Sequence, residues 1–307
     1  MAVKDMLNTY SHIQNKEELA TTIADLFADE VPAFAIAKKE RVKNQTVKWV
    51  SDSLATANRT AVAEGATITY TDKTLATLNT NYTQIRDRSW EVTHSQEASD
   101  SVGLKSSVKR ELMKAMKELV VDFDLILQTT NAAAAGDTGT ARVSAGIHAV
   151  ATTNTEAGSG NGSTSYVALK ESQVNSLLEK IWKQGGNPRV LLCGGYQKRV
   201  ISQDFTAKTG FSFNVDAGQR MAIQNINKYE GSFGTLDVIP DRQHPGTRIA
   251  IIDPNMWKVG ILNDITQYKG AKTSSSYKGW VEGEMCLKYG NQKGHGVASY
   301  LTTSFAL

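Results

Sequence analysis

Residues 101–128 read SVGLKSSVKRELMKAMKELVVDFDLILQ. Val108, Leu112, Ala115, Met116, Leu119, Phe123, Ile126 and Leu127 recur at steps of three and four residues, the spacing that gathers side chains on one face of an α-helix. Glu111 precedes Met113-Lys114-Ala115, close enough for local charge pairs on the outer side. At 1.5 Å per residue the segment makes a rod of about 40 Å, more than twice an ordinary globular helix of about 11 residues. A rod of that length implies an elongated molecule with a spine joining separate parts. Asp122 and Asp124, two positions apart, cannot share a face of it, and both read as solvated.

On the N-terminal side of the rod, Tyr82 to Thr93 sets Tyr82, Ile85, Trp90 and Val92 among charges and reads as a strand, as does Thr67 to Tyr70. Residues 52–78 are rich in Ala, Thr, Asn and Gly and short of large apolar side chains, yet too varied for a linker. Together these segments predict a long hairpin reaching away from the body. Such a hairpin cannot bury its own faces, so it is expected to pack on another chain. Thr46 to Ser51 is a further strand and carries Trp49. Before it stand Lys38, Lys39, Arg41, Lys43 and Lys48 against only Glu40, a solvated arm or a contact for a polyanion or an acidic neighbour. A short helix is expected at 15–29, with Asn15 as cap, Glu17 and Glu18 in its first turn and Leu19, Ile23, Leu26 and Phe27 as its apolar face, ended by Val31-Pro32.

On the C-terminal side, residues 131–165 are mostly Ala, Gly, Ser and Thr around the apolar group Val143 to Ala151, and Ala157 to Ser165 reads as an exposed loop. Val167 to Lys183 predicts a second amphipathic helix, stopped by Gly185-Gly186 with Pro188 beyond. Val190 to Cys193 is a buried strand, and Tyr196 to Asp204 a helix. Ile223 to Tyr229 and Thr235 to Ile239 flank a glycine-containing turn, and Arg248 to Asp253 is another strand. Trp280 to Tyr289 is expected to turn through Gly290 to Gly294 and pair with Val297 to Thr303. The sum is α+β.

Bulk properties narrow the function. The chain has 307 residues, 40% of them hydrophobic and 21% charged, with 34 Lys and Arg against 31 Asp and Glu, a net charge of +3. That composition excludes a disordered or collagen-like chain, and no apolar run approaches the ~18 residues of a membrane span. The net charge is too small for nucleic-acid binding by overall electrostatics. Cys193 and Cys286 suit a reducing compartment, and each reads as a small core residue; a bridge between them is left open. Met1 to Lys16 lacks the pattern of a signal peptide, so the protein is expected to be soluble and intracellular at synthesis.

Catalytic constellations are missing. His12, His94, His148, His244 and His295 fall at no metal-ligand spacing and form no HExxH pattern. The glycines of Cys193-Gly194-Gly195 could in principle cradle phosphate between a strand and a helix, but neither GxGxxG nor GxxxxGK[ST] is present. GxSxG is absent as well. No enzyme, cofactor or metal is expected; a nucleotide-binding enzyme using the Gly194-Gly195 turn is the least favoured alternative.

The order of parts resembles the tailed-phage major capsid proteins of the HK97 fold, in particular the branch related to the phage SU10 major capsid protein. The stretches that carry the resemblance are Lys48-Trp49-Val50-Ser51-Asp52-Ser53-Leu54-Ala55, Asn81-Tyr82-Thr83-Gln84-Ile85, Leu178-Glu179-Lys180-Ile181-Trp182, Tyr229 to Gly234 with Leu236 to Pro240, Ile252-Asp253-Pro254 and Glu282-Gly283-Glu284-Met285-Cys286-Leu287. It implies an N-terminal arm at 1–45, an extended E-loop hairpin at 46–94, a spine helix and first part of the P-domain at 95–163, an A-domain at 164–260 and completion of the P-domain at 261–307. Implied partners are copies of the chain itself in homo-pentamers and homo-hexamers closing an icosahedral shell, double-stranded DNA bound non-specifically on the inner face, and portal, scaffolding and decoration proteins, with no membrane. The location would be the virion, after synthesis in the host bacterial cytoplasm. No large scaffolding segment precedes the arm, unlike the prototype, so scaffolding is either a separate protein or absent.

Implied inter-subunit contacts of the E-loop are Trp49, Arg59, Glu64 and Lys73. Lys73 could stand where the prototype has a crosslinking lysine, though no partner for it can be identified. Thr206 to Gln219, with Lys208, Phe211 and Phe213, is the candidate axial loop, and Lys38, Lys39, Arg41 and Lys43 are candidate polyanion contacts. A tail or baseplate component is the other structural reading.

Overall fold

The computed structural model describes residues 30–55, 57, 59–67, 70, 75–99, 106–157, 166–205 and 227–303. The helix expected at 15–29, positions 68–69 of the strand expected at 67–70, Lys73, and the loop 206–219 with Lys208, Phe211 and Phe213 lie outside them.

Pro32 occupies the first position of a short helix, α1 (Pro32–Ile36), where its missing N–H costs nothing. β1 (Lys38–Arg41) follows, and then β2 (Thr46–Ser51) pairs antiparallel with β3 (Thr77–Tyr82), Val50 opposite Leu78. Two expectations are corrected here. The hairpin stem is 46–51 with 77–82, not 67–70 with 82–93, and the segment read as one strand from Tyr82 divides at Thr83. The Thr83 N–H bonds to the Gln45 carbonyl at 2.9 Å and its hydroxyl donates to Glu284 at 2.6 Å, which turns the chain out of the hairpin into β4 (Gln84–Thr93).

After the short α2 (His94–Ala98) comes the long helix, α3 (Ser107–Leu127), which starts only after its Ser106 cap, so its 21 residues span about 32 Å rather than the roughly 40 Å expected from 101–128. The Ser106 hydroxyl accepts from the Lys109 N–H, and Glu97 receives both the Ser106 hydroxyl (2.7 Å) and the Val108 N–H (3.0 Å), so an acid from α2 satisfies the start of α3. Then follow α4 (Ile147–Val150), β5 (Thr155–Ala157), α5 (Glu171–Lys183), β6 (Val190–Cys193) and α6 (Gly195–Val200), which ends in one π-helical turn at Ile201–Phe205. At the end of α5, Gly185 takes φ +83° while the Gly186 N–H returns to the Ile181 carbonyl at 3.0 Å, the left-handed helix stop that the glycine pair predicts. β7 (Lys228–Gly231), β8 (Gly234–Pro240), β9 (Ile249–Ile252), β10 (Lys258–Lys269), β11 (Ser276–Lys288) and β12 (Gly296–Ser299) complete the order.

The strands form a four-stranded sheet in the order β1-β10-β11-β4, a six-stranded sheet in the order β5-β12-β9-β6-β8-β7, and the separate two-stranded stem β2-β3. β11 therefore does not pair with the strand after it, as its alternation suggested. Gly290 at φ +59° and the 3-10 turn Gln292–Gly294 redirect the chain, and β12 inserts between β5 and β9. β10 escaped the sequence reading because Asn263-Asp264 looks like a turn; the register slips there, and the strand continues through the irregularity.

Two hydrophobic cores share the six-stranded sheet, one on each face. Ala115, Leu119, Phe123, Ile126 and Leu127 of α3 meet Trp90, Val281, Met285 and Leu287 of the four-stranded sheet, and the same cluster continues through Trp257 to Val190, Leu192, Ala250 and Ile252 of the six-stranded sheet. The opposite face of that sheet, with Leu191, Cys193, Ile249 and Ile251, is covered by Val174, Leu177, Leu178 and Ile181 of α5. Covered on both sides, β6 and β9 are buried at every position, which is why they read as unbroken apolar runs.

Candidate interaction surfaces

The root of the β2-β3 stem is built from polar side chains that the sequence reading left unassigned. Asn81, fully buried, donates to the Leu287 carbonyl at 2.7 Å and accepts the Ala145 N–H at 2.9 Å. Glu284 receives Arg142 at 2.6 Å, the Thr83 hydroxyl at 2.6 Å and the Asn263 amide at 3.0 Å. A lone glutamate among Gly283, Met285, Cys286 and Leu287 was the available signal, since a buried charge persists only when it is paired. Trp49 is half-buried on its own chain: its indole N–H donates to the Gly290 carbonyl at 2.5 Å, and its ring meets Tyr289 edge-on at 4.8 Å.

Beyond this anchorage the stem and its continuation lose cover. Val50 (66% exposed), Leu78 (58%), Leu54 (99%), Val62 (78%), Tyr70 (92%) and Leu75 (86%) all lie in 46–82 and present apolar surface to solvent. Arg59 and Glu64 stand exposed in the same stretch. Single exposed apolar residues are unremarkable, but six along one projection form a surface that water does not favour.

The basic run is partly neutralised where it stands. Lys39 and Arg41 share one side of β1, and Lys38 lies on the other with Glu40. Arg41 pairs with Asp264 at 2.6 Å, Lys38 donates to Asn255, and the Lys39 ammonium lies over the Phe34 ring at 4.8 Å. Lys43 is exposed in the bend before β2. Glu40 bonds Lys288 at 2.7 Å, and that ammonium holds its carboxyl below the usual range despite partial burial.

The long helix corrects the reading of its two aspartates. They do face apart, but neither is solvated: Asp122 is 8% exposed and Asp124 fully buried. Asp122 takes Arg88 in a two-pronged bond at 2.6 and 2.7 Å, with Arg86 at 3.3 Å, because β4 lies against that side of α3. Asp124 points the other way, into the region between α1 and the residues after β8.

For the other chemistry candidates the surroundings are plain. Cys193 and Cys286 are free, buried thiols, and burial pushes each up to about 12, far from a thiolate at neutral pH. A Cβ at Gly194 would lie 3.3 Å from Gly246 Cα, whereas one at Gly195 would meet nothing within 4 Å, so the chain packs against only the first glycine of the turn after β6. Among the described residues no group of three or more His, Cys, Asp or Glu could hold a metal ion, and no helix is long and apolar enough to cross a membrane.

A profile of the SU10 major capsid protein family matches residues 6–302. Among solved structures, the chain is similar to the Cyanophage A-1(L) capsid asymmetric unit, with 13% identity and a TM-score of 0.70 over 96% of this chain and 100% of that one. It is similar to the capsid of Cyanophage P-SCSP1u, at 11% identity and a TM-score of 0.66 over 99% and 97%. It also resembles the SrpI encapsulin of Synechococcus elongatus, at 11% identity and a TM-score of 0.60 over 94% of each. No curated protein matches it in sequence. At these identities the likeness is one of fold, and the fold is the HK97-like capsid fold in its α+β form.

Proposed function

The chain belongs to the SU10 major capsid protein family, whose members form the virion shell, and from that premise we propose that it closes its shell from homo-pentamers and homo-hexamers around double-stranded DNA. The observation that carries this reading is the apolar projection at 46–82, which its own chain leaves uncovered. Covering a side chain of this size is worth about 1.5–3 kcal/mol, so the projection is stable only where a neighbour receives it. Contact of one surface with a different one generates rings, and rings of two sizes close a shell. Each subunit pair then buries about 2,000 Å² or more, the range of obligate interfaces.

In this scheme residues 1–45 are the arm, 46–94 the E-loop, 95–163 the spine and first P-domain part, 164–260 the A-domain and 261–307 the P-domain completion. Pairing of β4 with β11 ties the 46–94 part to the 261–307 part, and pairing of β12 with β9 ties the latter to the 164–260 part. Arg59, Glu64 and Lys73 meet the neighbouring subunit, Trp49 secures the root from which they project, and Lys208, Phe211 and Phe213 meet around the ring axes. Lys38, Lys39, Arg41 and Lys43 touch DNA; portal, scaffolding and decoration proteins join during assembly in the host cytoplasm. The chain acts as a tile and not as an enzyme, a reading supported by the buried thiols, which burial keeps protonated. Electron microscopy and gel filtration of the purified protein test this: closed shells are expected, and a stable monomer, or tubes, would overturn it.

A further inference from the structure

Four segments of the chain converge on one buried polar cluster near the C-terminal end of α3. Asp124 accepts the Phe34 N–H of α1 at 2.8 Å, which satisfies a helix start that has no cap of its own. The Gln128 amide donates to Asp124 at 2.7 Å and to Asp241, just past β8, at 2.5 Å, leaving its carbonyl oxygen buried without a partner. Asp241 is tied in turn to β6 by its N–H on the Cys193 carbonyl at 2.9 Å. Alongside, His148 of α4 and His244 place their Nε2 atoms 3.2 Å apart. Because His244 Nδ1 lies 3.1 Å from the Pro245 carbonyl, that nitrogen carries a proton and Nε2 is the acceptor. His148 therefore donates from Nε2, and its Nδ1 is left buried with no partner. All four titratable groups are closed to water, at 0 to 8% exposure.

We propose that this cluster is a proton-locked joint: one proton held between Asp124 and Asp241, beside the His148–His244 hydrogen bond, fastens the long helix to the 241–248 loop of the six-stranded sheet, and losing it, or adding protons to the imidazoles, loosens the two parts. Loss of the shared proton sets two carboxylates against each other in a region without solvent, bridged only by a neutral amide. The other charged or titratable groups around the cluster do not offset this. Arg248 acts on the histidines and lowers both, the Cys193 thiol is neutral, Lys198 acts on Cys193, and the Arg242–Glu30 pair is exposed at the surface.

Burial, with Asp241 beside it, raises the Asp124 carboxyl to about 8. Its contribution is complete below the unfolded value of 3.8 and is lost as pH rises toward 8. Above about pH 7.5 the buried histidines are neutral folded or unfolded, so from there to pH 9 the unfolding constant rises about fourfold from this proton alone. The test is infrared spectroscopy and thermal unfolding of the full chain between pH 6.5 and 9. In the wild type, a protonated-carboxyl stretch is present at pH 6.5 and gone by pH 9, and the unfolding midpoint falls between pH 7.5 and 9. Asp124→Asn keeps an acceptor for the Phe34 N–H and abolishes both changes. Should Asp124→Asn fail to fold, Asp241→Asn replaces it, because removing the second carboxylate moves the infrared transition to lower pH. A wild type without the band, or an Asp124→Asn or Asp241→Asn protein that keeps the wild-type transition, overturns the joint. Neither readout depends on shell closure.

Discussion

Replacing Glu284 with leucine would take the only carboxylate from Arg142, which keeps the neutral Thr83 carbonyl and Gln45 amide oxygens, and leave the Thr83 hydroxyl with the Gln45 carbonyl at 3.3 Å, in a region only slightly open to water. Arg142 is 26% and Glu284 5% exposed in their side chains, so solvent recovers little of what the cation loses. A buried pair broken on one side typically costs 3–5 kcal/mol, and the partial exposure of Arg142 places Glu284→Leu at about 3 kcal/mol, checked by chemical unfolding. Glu284→Gln keeps one acceptor oxygen, which can serve the Thr83 hydroxyl and Arg142, and is expected to cost less than Glu284→Leu. The buried histidines make a separate prediction. Burial lowers His148 well below its ordinary value and brings His244 and His295 down to about 4. Groups lowered on folding contribute stability that is present above pH 6.5 and lost as pH falls toward 4. Asp124 acts in the opposite sense over the same range, but three histidines outweigh one carboxyl, so unfolding midpoints should fall between pH 6 and 4.5. His295→Gln should lessen that fall, and an unchanged slope would show that His295 is not held neutral.

The hairpin differs from the elements that surround it, because its own chain leaves its apolar residues largely uncovered. Val50 and Leu78 face each other across the stem, 66% and 58% exposed. Exchanging both for aspartate removes almost no packing inside the chain; the like charges across the ladder cost up to about 1 kcal/mol. Subunit folding, followed by circular dichroism, is expected to be close to wild type, while closed particles disappear from electron micrographs. Equal loss of folding and assembly would place the pair in the chain's own core. The same distinction explains what was legible in the sequence. α3, α5, β6 and β9 announced themselves because their apolar residues repeat at the period of the element and are buried by their own chain. β3 (TLNTNY) carries Leu78 as its one aliphatic residue, so the stem's return strand had no period to read. β10 was hidden by Asn263-Asp264 at its irregular register, and the pairing of β11 was misassigned because alternation marks a strand but not its neighbour. Of the interaction surface, the exposed stretch and Trp49 were visible as residue types. The lattice of Asn81, Thr83, Arg142 and Glu284 was not, since those residues are brought together from positions up to about 200 apart.

For the molecule as a whole, a net charge of +3 spread over 307 residues generates too weak a field to hold a polyanion, so any grip on DNA must come from how charges are placed. The fold has already committed part of the basic run: Arg41 to Asp264, Lys38 to Asn255, and Glu40 drawn to Lys258 and Lys288. Of the four candidate contacts, Lys39 and Lys43 are the exposed ones with neither a carboxylate nor an amide partner among the contacts described, which leaves them freest to release counterions from phosphate. Each phosphate neutralised steepens the fall of log affinity against log salt by about 0.9. Double substitution Lys39→Gln with Lys43→Gln should therefore flatten the salt dependence of duplex binding by about 1.8, with equal loss on every duplex sequence, because phosphate contacts carry no base information. Substituting Arg41 alone should change the slope by less than a single phosphate's worth, as Asp264 already answers its charge. Filter binding of duplex DNA at a series of salt concentrations separates these outcomes. A slope unchanged by the double substitution would exclude the 38–43 segment as a DNA contact and leave it as a strand-edge brace for β10.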